Sequence, residues 1–266
     1  MKRKVFTAII LVLTLTLTAA SFTACNNQPF YTTVSAVWKD YERFEYDVTV
    51  ADSDEKGTFT AEISIIRSTD VEIGGIKLQK ASGHYYESRL EIGDTVIREE
   101  LLFGAINQSQ NLTPVLSARS VTRNGVTTVT TVNYKDGVAR FSDGGEDFTD
   151  VKLSTPYYDN SQIYILMRAT GSANFTYKAM IPAEKQAVAL KCAAGASVQV
   201  SCPYSETPVA CYSMTVSRDE KLTGSPFTTF YASTAFTVDG KSVINALVKF
   251  VEGDVTYTLK NISLTK

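Results

Sequence analysis

Tight-turn dipeptides recur along this chain between segments rich in β-branched and aromatic residues, and they constrain its fold more than any other feature. Asn124-Gly125, Asp136-Gly137 and Asp239-Gly240 each lie between two such segments. Two-residue hairpin loops require positive φ angles, which Asn-Gly and Asp-Gly pairs adopt readily. Strands joined by these loops run antiparallel to each other, so the pattern predicts antiparallel meanders.

The segments between the turns have the periodicity of half-buried strands. Phe44, Tyr46 and Val48 alternate with Glu45 and Asp47, which is the period of two expected when one sheet face is buried. Similar runs follow at 59–65, 80–92, 95–106, 114–123, 126–134, 137–142, 175–181, 186–192, 197–202, 209–217, 227–237, 242–251 and 255–264. Their regular spacing predicts an all-β fold, in which a curved antiparallel sheet forms a half-open barrel or a sandwich.

One segment in the middle of the chain has helical character instead. Asp159 is a suitable N-cap, and Gln162 follows it at the capping-box distance. We therefore predict a short amphipathic helix over 160–169, which joins a first set of strands (44–153) to a second set (175–264). An apolar helix beside a curved sheet is expected to cover one open end of that sheet.

Short motifs around this helix resemble the DUF3108 family of exported β proteins of unknown function. Tyr158-Asp159-Asn160-Ser161, followed by Leu166-Met167-Arg168-Ala169, is similar to the family's Tyr-Asp, Ser and Leu-Arg signature. Leu112-Thr113-Pro114 and Lys135-Asp136-Gly137 match it in order, although Asn160 stands where proline is common. The resemblance spans about 44–264. It implies a half-open barrel with an apolar groove, and it implies no reaction.

The N-terminus has the three-part pattern of a secretion signal. Lys2-Arg3-Lys4 is followed by an apolar run over 5–20 and by small residues that end at Ala24. Cys25 follows directly, as in the lipobox of lipoproteins, although Phe22 stands where leucine is typical. We predict cleavage before Cys25 and lipid attachment to its sulfur, which would anchor the protein to the membrane outside the cytoplasm. The alternatives are an uncleaved signal anchor and an ordinary signal with a coincidental cysteine.

The sequence predicts three regions. Residues 1–24 are a signal peptide, 25–43 a lipidated tether with a short helical segment near 34–41, and 44–266 a single β domain. Three of the 26 basic residues and none of the 28 acidic residues lie in the signal, which leaves a net charge of −5 for the mature chain. This acidic balance argues against nucleic-acid binding, which uses basic surfaces.

The cysteines permit at most one internal disulfide. Lipidation of Cys25 leaves Cys192, Cys202 and Cys211. Cys202 and Cys211 flank a turn-rich stretch and are candidates for a disulfide across a hairpin. The alternative is that all three are small apolar core residues. No metal site is predicted, because the spacing of these cysteines is unlike that of zinc ligands and the chain has one histidine.

The sequence carries no clear catalytic constellation, so we predict a non-enzymatic protein without a cofactor. A serine–histidine–aspartate site would have to use His84, and no nucleophile-elbow motif accompanies it. Glu99 and Glu100 are adjacent on a predicted strand, so their side chains would point to opposite faces and could not act as a pair.

Three residues of the helical segment are candidates for a groove or its lid: Tyr158, Tyr164 and Arg168. Arg168 has two readings, as a cation that complements the helix macrodipole or as a ligand contact at a cavity mouth. The leading hypothesis is a carrier of an amphiphilic or apolar molecule, such as a lipid, in the curved sheet. The alternatives are a protein that binds glycans or other envelope proteins, and a glycan-acting hydrolase.

Overall fold

The computed structural model describes residues 38–104, 112–145, 147–154, 157–170, 174–218 and 227–266. These residues form seventeen strands and one α-helix, and they confirm the predicted all-β fold with one short helix in mid-chain. The strands are β1 (Tyr41–Val50), β2 (Lys56–Ile73), β3 (Ile76–Ile92), β4 (Thr95–Phe103), β5 (Pro114–Arg123), β6 (Val126–Lys135), β7 (Val138–Ser142), β8 (Phe148–Lys152), β9 (Tyr157–Asp159), β10 (Phe175–Ile181), β11 (Gln186–Cys202), β12 (Ser205–Arg218), β13 (Phe227–Ala232), β14 (Phe236–Val238), β15 (Lys241–Val243), β16 (Leu247–Glu252) and β17 (Val255–Ser263). A 3₁₀ turn (Asn160–Gln162) leads into α1 (Ile163–Thr170), and a second 3₁₀ turn (Pro182–Glu184) follows β10.

Fifteen of the strands form one sheet, built from two meanders that share its centre. The order is β8-β7-β6-β5-β4-β3-β2-β1-β17-β16-β13-β12-β11-β10-β9, and β14 and β15 form a separate hairpin. The first strand of the described residues, β1, therefore pairs with the last, β17. All the pairs in the sheet are antiparallel except β9 with β10, which is parallel.

The two ends of this strand order are brought together by the chain itself. β8 ends at Lys152 and β9 begins at Tyr157, although these strands lie at opposite ends of the order. The connecting segment spans at most about 18 Å when fully extended, so the sheet must curl round. Side chains from both ends then pack together: Val132, Tyr134, Ala139 and Phe141 with Tyr157 and Met180. The result is the predicted curved sheet, which is not closed into a barrel by backbone hydrogen bonds.

The predicted hairpin dipeptides adopt the backbone conformation that tight turns require. In the turn between β5 and β6, Asn124 and Gly125 have φ angles of 51° and 76°. Asp136 and Gly137, between β6 and β7, have φ angles of 51° and 74°. Positive φ at both central positions is the geometry whose twist matches that of the flanking strands.

The main core lies inside the curve of the sheet, where α1 packs against both meanders. Its members include Phe44 and Tyr46 from β1, Leu166 from α1, and Tyr231 and Phe250 from the second meander. A smaller cluster covers the convex face, where the far end of the β2–β3 hairpin lies over β4 and β5. It consists of Ile73, Leu102, Leu116 and Ala118.

Some predicted boundaries are wrong. The helical segment predicted near 34–41 is wrong at its C-terminal end, because residues 38–40 are not helical and Tyr41 begins β1. The rest of that segment, the predicted signal peptide and Cys25 lie outside the described residues. The predicted strands 186–192 and 197–202 form one strand, β11, because a register shift between Ala194 and Ser197 absorbs the break. Within the described ranges, no helix combines the length and hydropathy needed to span a membrane.

The predicted disulfide between Cys202 and Cys211 is not formed. Both thiols and that of Cys192 are free and buried. The turn between β11 and β12 is so tight that Cys202 lies opposite Ser205, whereas Cys211 lies further along the hairpin, opposite Val198. The three cysteines therefore act as small apolar core residues, which is the alternative that the sequence left open.

Candidate ligand-binding site

A buried hydrogen-bond cluster around Asp159 fixes the start of the helical segment. The Ser161 N–H donates to Asp159 Oδ1 over 2.9 Å and the Asp159 N–H donates to Gln162 Oε1 over 2.8 Å, which completes the predicted capping box. Asp159 Oδ2 also accepts hydrogen bonds from the hydroxyls of Ser117 on β5 (2.6 Å) and Tyr134 on β6 (2.5 Å). The cluster thus joins the helix to the first meander.

Arg168 fixes the other end of α1 through a buried ion pair. Its Nη1 lies 2.7 Å from Oε2 of Glu42 on β1, and the two side chains are 6% and 0% exposed. The guanidinium also donates to the backbone carbonyls of Ile244 (3.0 Å) and Asn245 (3.2 Å). Its Cζ lies 4.9 Å from the centre of the Phe44 ring. These contacts hold α1 against β1 and against the loop before β16.

A cleft with a cavity volume of about 280 Å³, partly open to solvent, lies between the helical segment and the concave face of the sheet. Its wall combines aromatic and ionisable side chains from both meanders. The aromatic members are Phe59, Tyr164, Phe227 and Tyr257, and the ionisable members are Glu99, Arg119, Glu184, Arg218 and Glu252. We call this cavity the cleft. A wall that combines apolar surface with a few placed polar groups is typical of sites for small organic ligands.

Among the acidic residues of the cleft, Glu99 has the largest shift in pKa. It lies directly opposite Arg119 on the neighbouring strand, and the Arg119 Nε is 3.3 Å from Glu99 Oε1. Burial raises the pKa of Glu99 from 4.5 to about 7; Arg119 opposes this rise, and the carboxylates of Asp159 and Glu252 add to it. Glu99 therefore changes charge near neutral pH, within the wall of the cleft.

The second cation of the cleft is also paired. Arg218 on β12 forms an ion pair with Glu184 of the second 3₁₀ turn. Positive and negative groups thus lie side by side around the cleft, and neither sign dominates. This arrangement suits a polar or zwitterionic group better than one with a high net charge.

A second, much smaller cavity of about 40 Å³ lies beside the cleft, under α1. We call it the inner slot. Apart from Glu62 and Arg168 its wall is apolar and aromatic: Trp38, Phe44, Tyr46, Phe59, Ala61, Ile63, Tyr86, Tyr164, Ile165 and Leu247.

The structure brings two of the three predicted groove residues to these cavities. Tyr164 lines both the cleft and the inner slot, and Arg168 lines the inner slot. Tyr158 lines neither cavity. It is buried on β9 and packs edge-on against Tyr177, with 6.0 Å between the ring centres. The predicted lipid attachment site, Cys25, lies outside the described residues.

His84 has the surroundings of a core residue rather than a catalytic one. Its ring stacks on Phe103 with 5.2 Å between the centres and meets Trp38 edge-on at 5.9 Å. Burial lowers its pKa, which keeps the ring uncharged at neutral pH. These contacts make His84 part of the aromatic packing of the sheet.

The sequence predicts which sheet face some residues occupy, but it does not predict the ion-pair partners of others. Glu99 faces the cleft, whereas Glu100 lies on the convex side and accepts a hydrogen bond from Tyr85 over 2.8 Å, so the predicted opposite orientation is confirmed. Glu42 was missed, although the alternation that begins at Phe44 extends back to it. The pairing of Glu99 with Arg119 needs the strand register, which the sequence does not supply.

Comparison with known proteins gives a structural likeness and no family. No family model and no curated protein matches the sequence. The chain is similar to a crystal structure of a beta-barrel-like protein of domain of unknown function DUF1849 from Brucella abortus. The TM-score is 0.54 at 12% identity, and the match covers 86% of this chain and all of that one. The likeness therefore supports the β-barrel-like fold and carries no activity.

Proposed function

We propose that this protein is a membrane-anchored, extracytoplasmic lipoprotein that binds an amphiphilic or apolar ligand without catalysing a reaction. The observation that carries the proposal is the cleft between the helical segment and the concave sheet, with its aromatic wall and its paired charges. The apolar part of a ligand would contact the rings of Phe59, Phe227 and Tyr257. Its polar part would replace water around Glu99 and Arg119.

The fixed position of the helix supports a pre-formed binding site. Asp159 ties its first turn to β5 and β6, and Arg168 ties its end to β1. A wall held at both ends loses little conformational entropy when a ligand binds, which favours affinity. The same two residues belong to the motifs that resemble the DUF3108 family, and membership of a DUF3108-like group in lipoprotein form is part of the proposal.

Isothermal titration calorimetry with a lysophospholipid below its critical micelle concentration tests the binding. The protein is the mature chain, residues 25–266, with Cys25→Ser to prevent lipidation. We expect saturable binding that Phe227→Glu weakens at least tenfold, because the new carboxylate lies in the aromatic wall. Phe148→Glu is the matched control, since Phe148 is 60% exposed on β8, away from the cleft. No heat of binding, or equal binding by both variants, would reject the proposal.

Membrane attachment has a separate test, because it depends on the N-terminal sequence alone. Labelled palmitate should enter the wild-type protein, and Cys25→Ala should abolish both the labelling and the release of the mature form. If the Cys25→Ala protein still fractionated with membranes as a cleaved product, the lipid anchor would be the wrong explanation.

A second candidate function, binding or cleavage of a glycan, is favoured by one observation. Glu99 and Glu252 line the same cleft, and burial raises the pKa of both carboxyl groups. Glycosidases use two carboxyl groups across a cleft, one of them with a raised pKa. Release of a chromogenic aglycone by the wild type, and its loss in both Glu99→Gln and Glu252→Gln, would favour this candidate over the carrier.

A further inference from the structure

Glu99 and Arg119 lie side by side in the wall of the cleft, on the neighbouring strands β4 and β5. Glu99 Oε1 and Arg119 Nε are 3.3 Å apart, against 2.7 Å between the paired atoms of Arg168 and Glu42. The side chains of Glu99 and Arg119 are 23% and 28% exposed. The ion pair in the cleft is therefore looser than the one at the end of α1, and a ligand can reach it.

The two charges of this pair differ in how they respond to pH. A guanidinium stays protonated over the whole pH range in which proteins are folded. The Glu99 carboxyl, whose pKa burial raises to about 7, takes up a proton near neutral pH. Protonation turns this carboxyl from an acceptor into a hydrogen-bond donor. The wall then presents two adjacent donors, the Glu99 O–H and the Arg119 guanidinium, in place of an ion pair that satisfies itself.

Other ionisable groups face Glu99 from five neighbouring elements. They are Tyr86 on β3, Asp159 on β9, Tyr164 on α1, Glu252 on β16 and Tyr257 on β17. Burial raises the pKa of the three tyrosines, which therefore stay uncharged, and the two carboxylates repel an ionised Glu99. Arg119 and Arg218, the cations that line the cleft, pair with Glu99 and Glu184 rather than with Glu252. Glu99 is thus the acid whose protonation frees Arg119 for another anion.

An oxyanion is the chemical group that fits these two donors. Carboxylate, phosphate and sulfonate groups each offer several acceptor oxygens to the N–H groups of a guanidinium. The wall of the cleft already carries three carboxyl groups and two guanidiniums, so Glu184 and Glu252 would repel an added anion. A ligand with one negative charge that enters together with one proton leaves the net charge of the cleft unchanged.

We propose that the cleft binds the oxyanion head of an amphiphile through Arg119 and a protonated Glu99, so that one proton accompanies each bound ligand. The proton comes from solvent and stays on the Glu99 carboxyl, and no covalent bond to the ligand forms. This inference rests on the proposed ligand-binding function. It specifies the chemistry of the head group and makes the affinity for the ligand rise as the pH falls through neutrality.

Three amphiphiles with the same octyl chain test the chemistry of the head group. Octanesulfonate is an anion at every pH used, octyl glucoside is uncharged and octyltrimethylammonium is a cation. Each is titrated below its critical micelle concentration, by calorimetry, into the mature chain with Cys25→Ser. We expect octanesulfonate to bind at least tenfold more tightly than octyltrimethylammonium at pH 6. Arg119→Gln should remove this preference, whereas Arg123→Gln, which changes an exposed residue of β5 outside the cleft, should keep it.

The proton itself is measured on the protein without a change at Glu99. Octanesulfonate is titrated at pH 7 in two buffers of different ionisation enthalpy, and the difference in binding heat gives the number of protons taken up. Glu99 is about half protonated at this pH, so we expect uptake of about half a proton per ligand. The affinity should be about tenfold higher at pH 6 than at pH 8, because the protonated fraction of such a carboxyl changes by about that factor.

The variant Glu99→Gln assigns the proton to this residue. The glutamine amide is uncharged and donates a hydrogen bond, as the protonated carboxyl does. We expect this variant to bind octanesulfonate at pH 8 about as tightly as the wild-type cleft does at pH 6, without proton uptake. Glu91→Gln, which changes an exposed carboxylate of β3, should keep the wild-type uptake. Uptake that persists in Glu99→Gln would belong to another acid, such as Glu252, whose pKa burial also raises, and would overturn the inference.

The outcomes separate this inference from the proposed function. Binding of octyl glucoside or of the lysophospholipid, without a preference for octanesulfonate over the cation, would overturn the inference and leave the proposed function intact. Octanesulfonate binding without proton uptake would do the same. Failure of every probe to bind, the lysophospholipid included, would overturn the proposed function itself.

Discussion

Individual side chains at the two ends of the helical segment determine how the halves of this molecule hold together. The Asp159 carboxylate accepts hydrogen bonds from side-chain hydroxyls and from a backbone N–H. The Arg168 guanidinium forms an ion pair with Glu42 and donates hydrogen bonds to two backbone carbonyls. Both are buried, so each would leave unsatisfied polar partners if truncated. The motif residues thus have a structural role that does not depend on any ligand.

Removal of the Arg168 guanidinium should destabilise the fold strongly. Arg168→Met leaves the fully buried Glu42 carboxylate without a cation, and we expect a loss of about 3–5 kcal/mol in the free energy of unfolding. Urea denaturation followed by circular dichroism measures this free energy of unfolding. Arg140→Met removes an ion pair from the exposed surface and should change the midpoint little. Similar small shifts of the urea midpoint in both variants would show that the buried ion pair is not needed for the stability of the fold.

Glu99 should make stability fall as the pH rises. Its pKa is about 7 in the folded protein and 4.5 ordinarily, so between these values the folded chain binds more protons than the unfolded one. The native state is therefore favoured at low pH and loses up to about 3 kcal/mol by pH 8, at roughly 1.4 kcal/mol per pKa unit.

The variant Glu99→Gln isolates this effect. Its thermal unfolding temperature should vary less between pH 5 and pH 8 than that of the wild type, and it should exceed the wild type mainly at pH 8. Glu91→Gln, which changes an exposed carboxylate, should keep the wild-type dependence. An identical pH profile for Glu99→Gln and wild type would contradict a raised pKa at this position.

At the scale of elements, local sequence chemistry predicts the turns and the helix, but not the strand partners. Asn124-Gly125 and Asp136-Gly137 adopt positive φ because of their own residue types, and Asp159 with Gln162 defines the helix start locally. The short strands β8 and β9 were not predicted. Their residues form strands because they lie at the ends of the curled sheet, which is a property of the whole fold rather than of five- or three-residue sequences.

The β11–β12 hairpin shows why the spacing of two cysteines along the chain cannot decide between a disulfide and free thiols. Cys202 and Cys211 flank a turn in the sequence, but the register places each opposite a different residue. Burial raises the pKa of Cys211 to about 11 and that of Cys192 as well, so little reactive thiolate is present at neutral pH.

Thiol titration tests this arrangement. In the mature chain with Cys25→Ser, we expect slow alkylation of the native protein and rapid alkylation of three cysteines in denaturant without reductant. Mass spectrometry counts the added groups. One modified cysteine instead of three would mean that a disulfide had formed, against the structure.

At the scale of the whole molecule, the sheet is centred on the pairing of β1 with β17, the first and last strands of the described residues. β1 and β17 lie at the middle of the fifteen-strand order, each hydrogen-bonded on both sides, whereas β8 is an edge strand with largely exposed residues. No local sequence pattern predicts this pairing, because it joins segments some two hundred residues apart. The cleft exists only because the sheet curls around α1, so the sequence alone does not predict its residues either.

Hydrogen exchange should follow this order. Amides of β1 and β17 should exchange slowest, because their opening requires the sheet to part at its centre, and amides of β8 should exchange fastest among the strands. Mass spectrometry of peptic fragments resolves the two regions. Protection of β8 equal to that of β1 would mean that the edges pair through backbone hydrogen bonds and that the sheet is a closed barrel.

A lipid-like molecule bound in the cleft should co-purify with the protein, and mass spectrometry of the purified protein detects it directly. The mature chain with Cys25→Ser, exported and purified without detergent, should carry close to one amphiphile per protein. Phe227→Glu should lose it and Phe148→Glu should keep it. An organic extract with no amphiphile, or with equal amounts from both variants, would contradict the account.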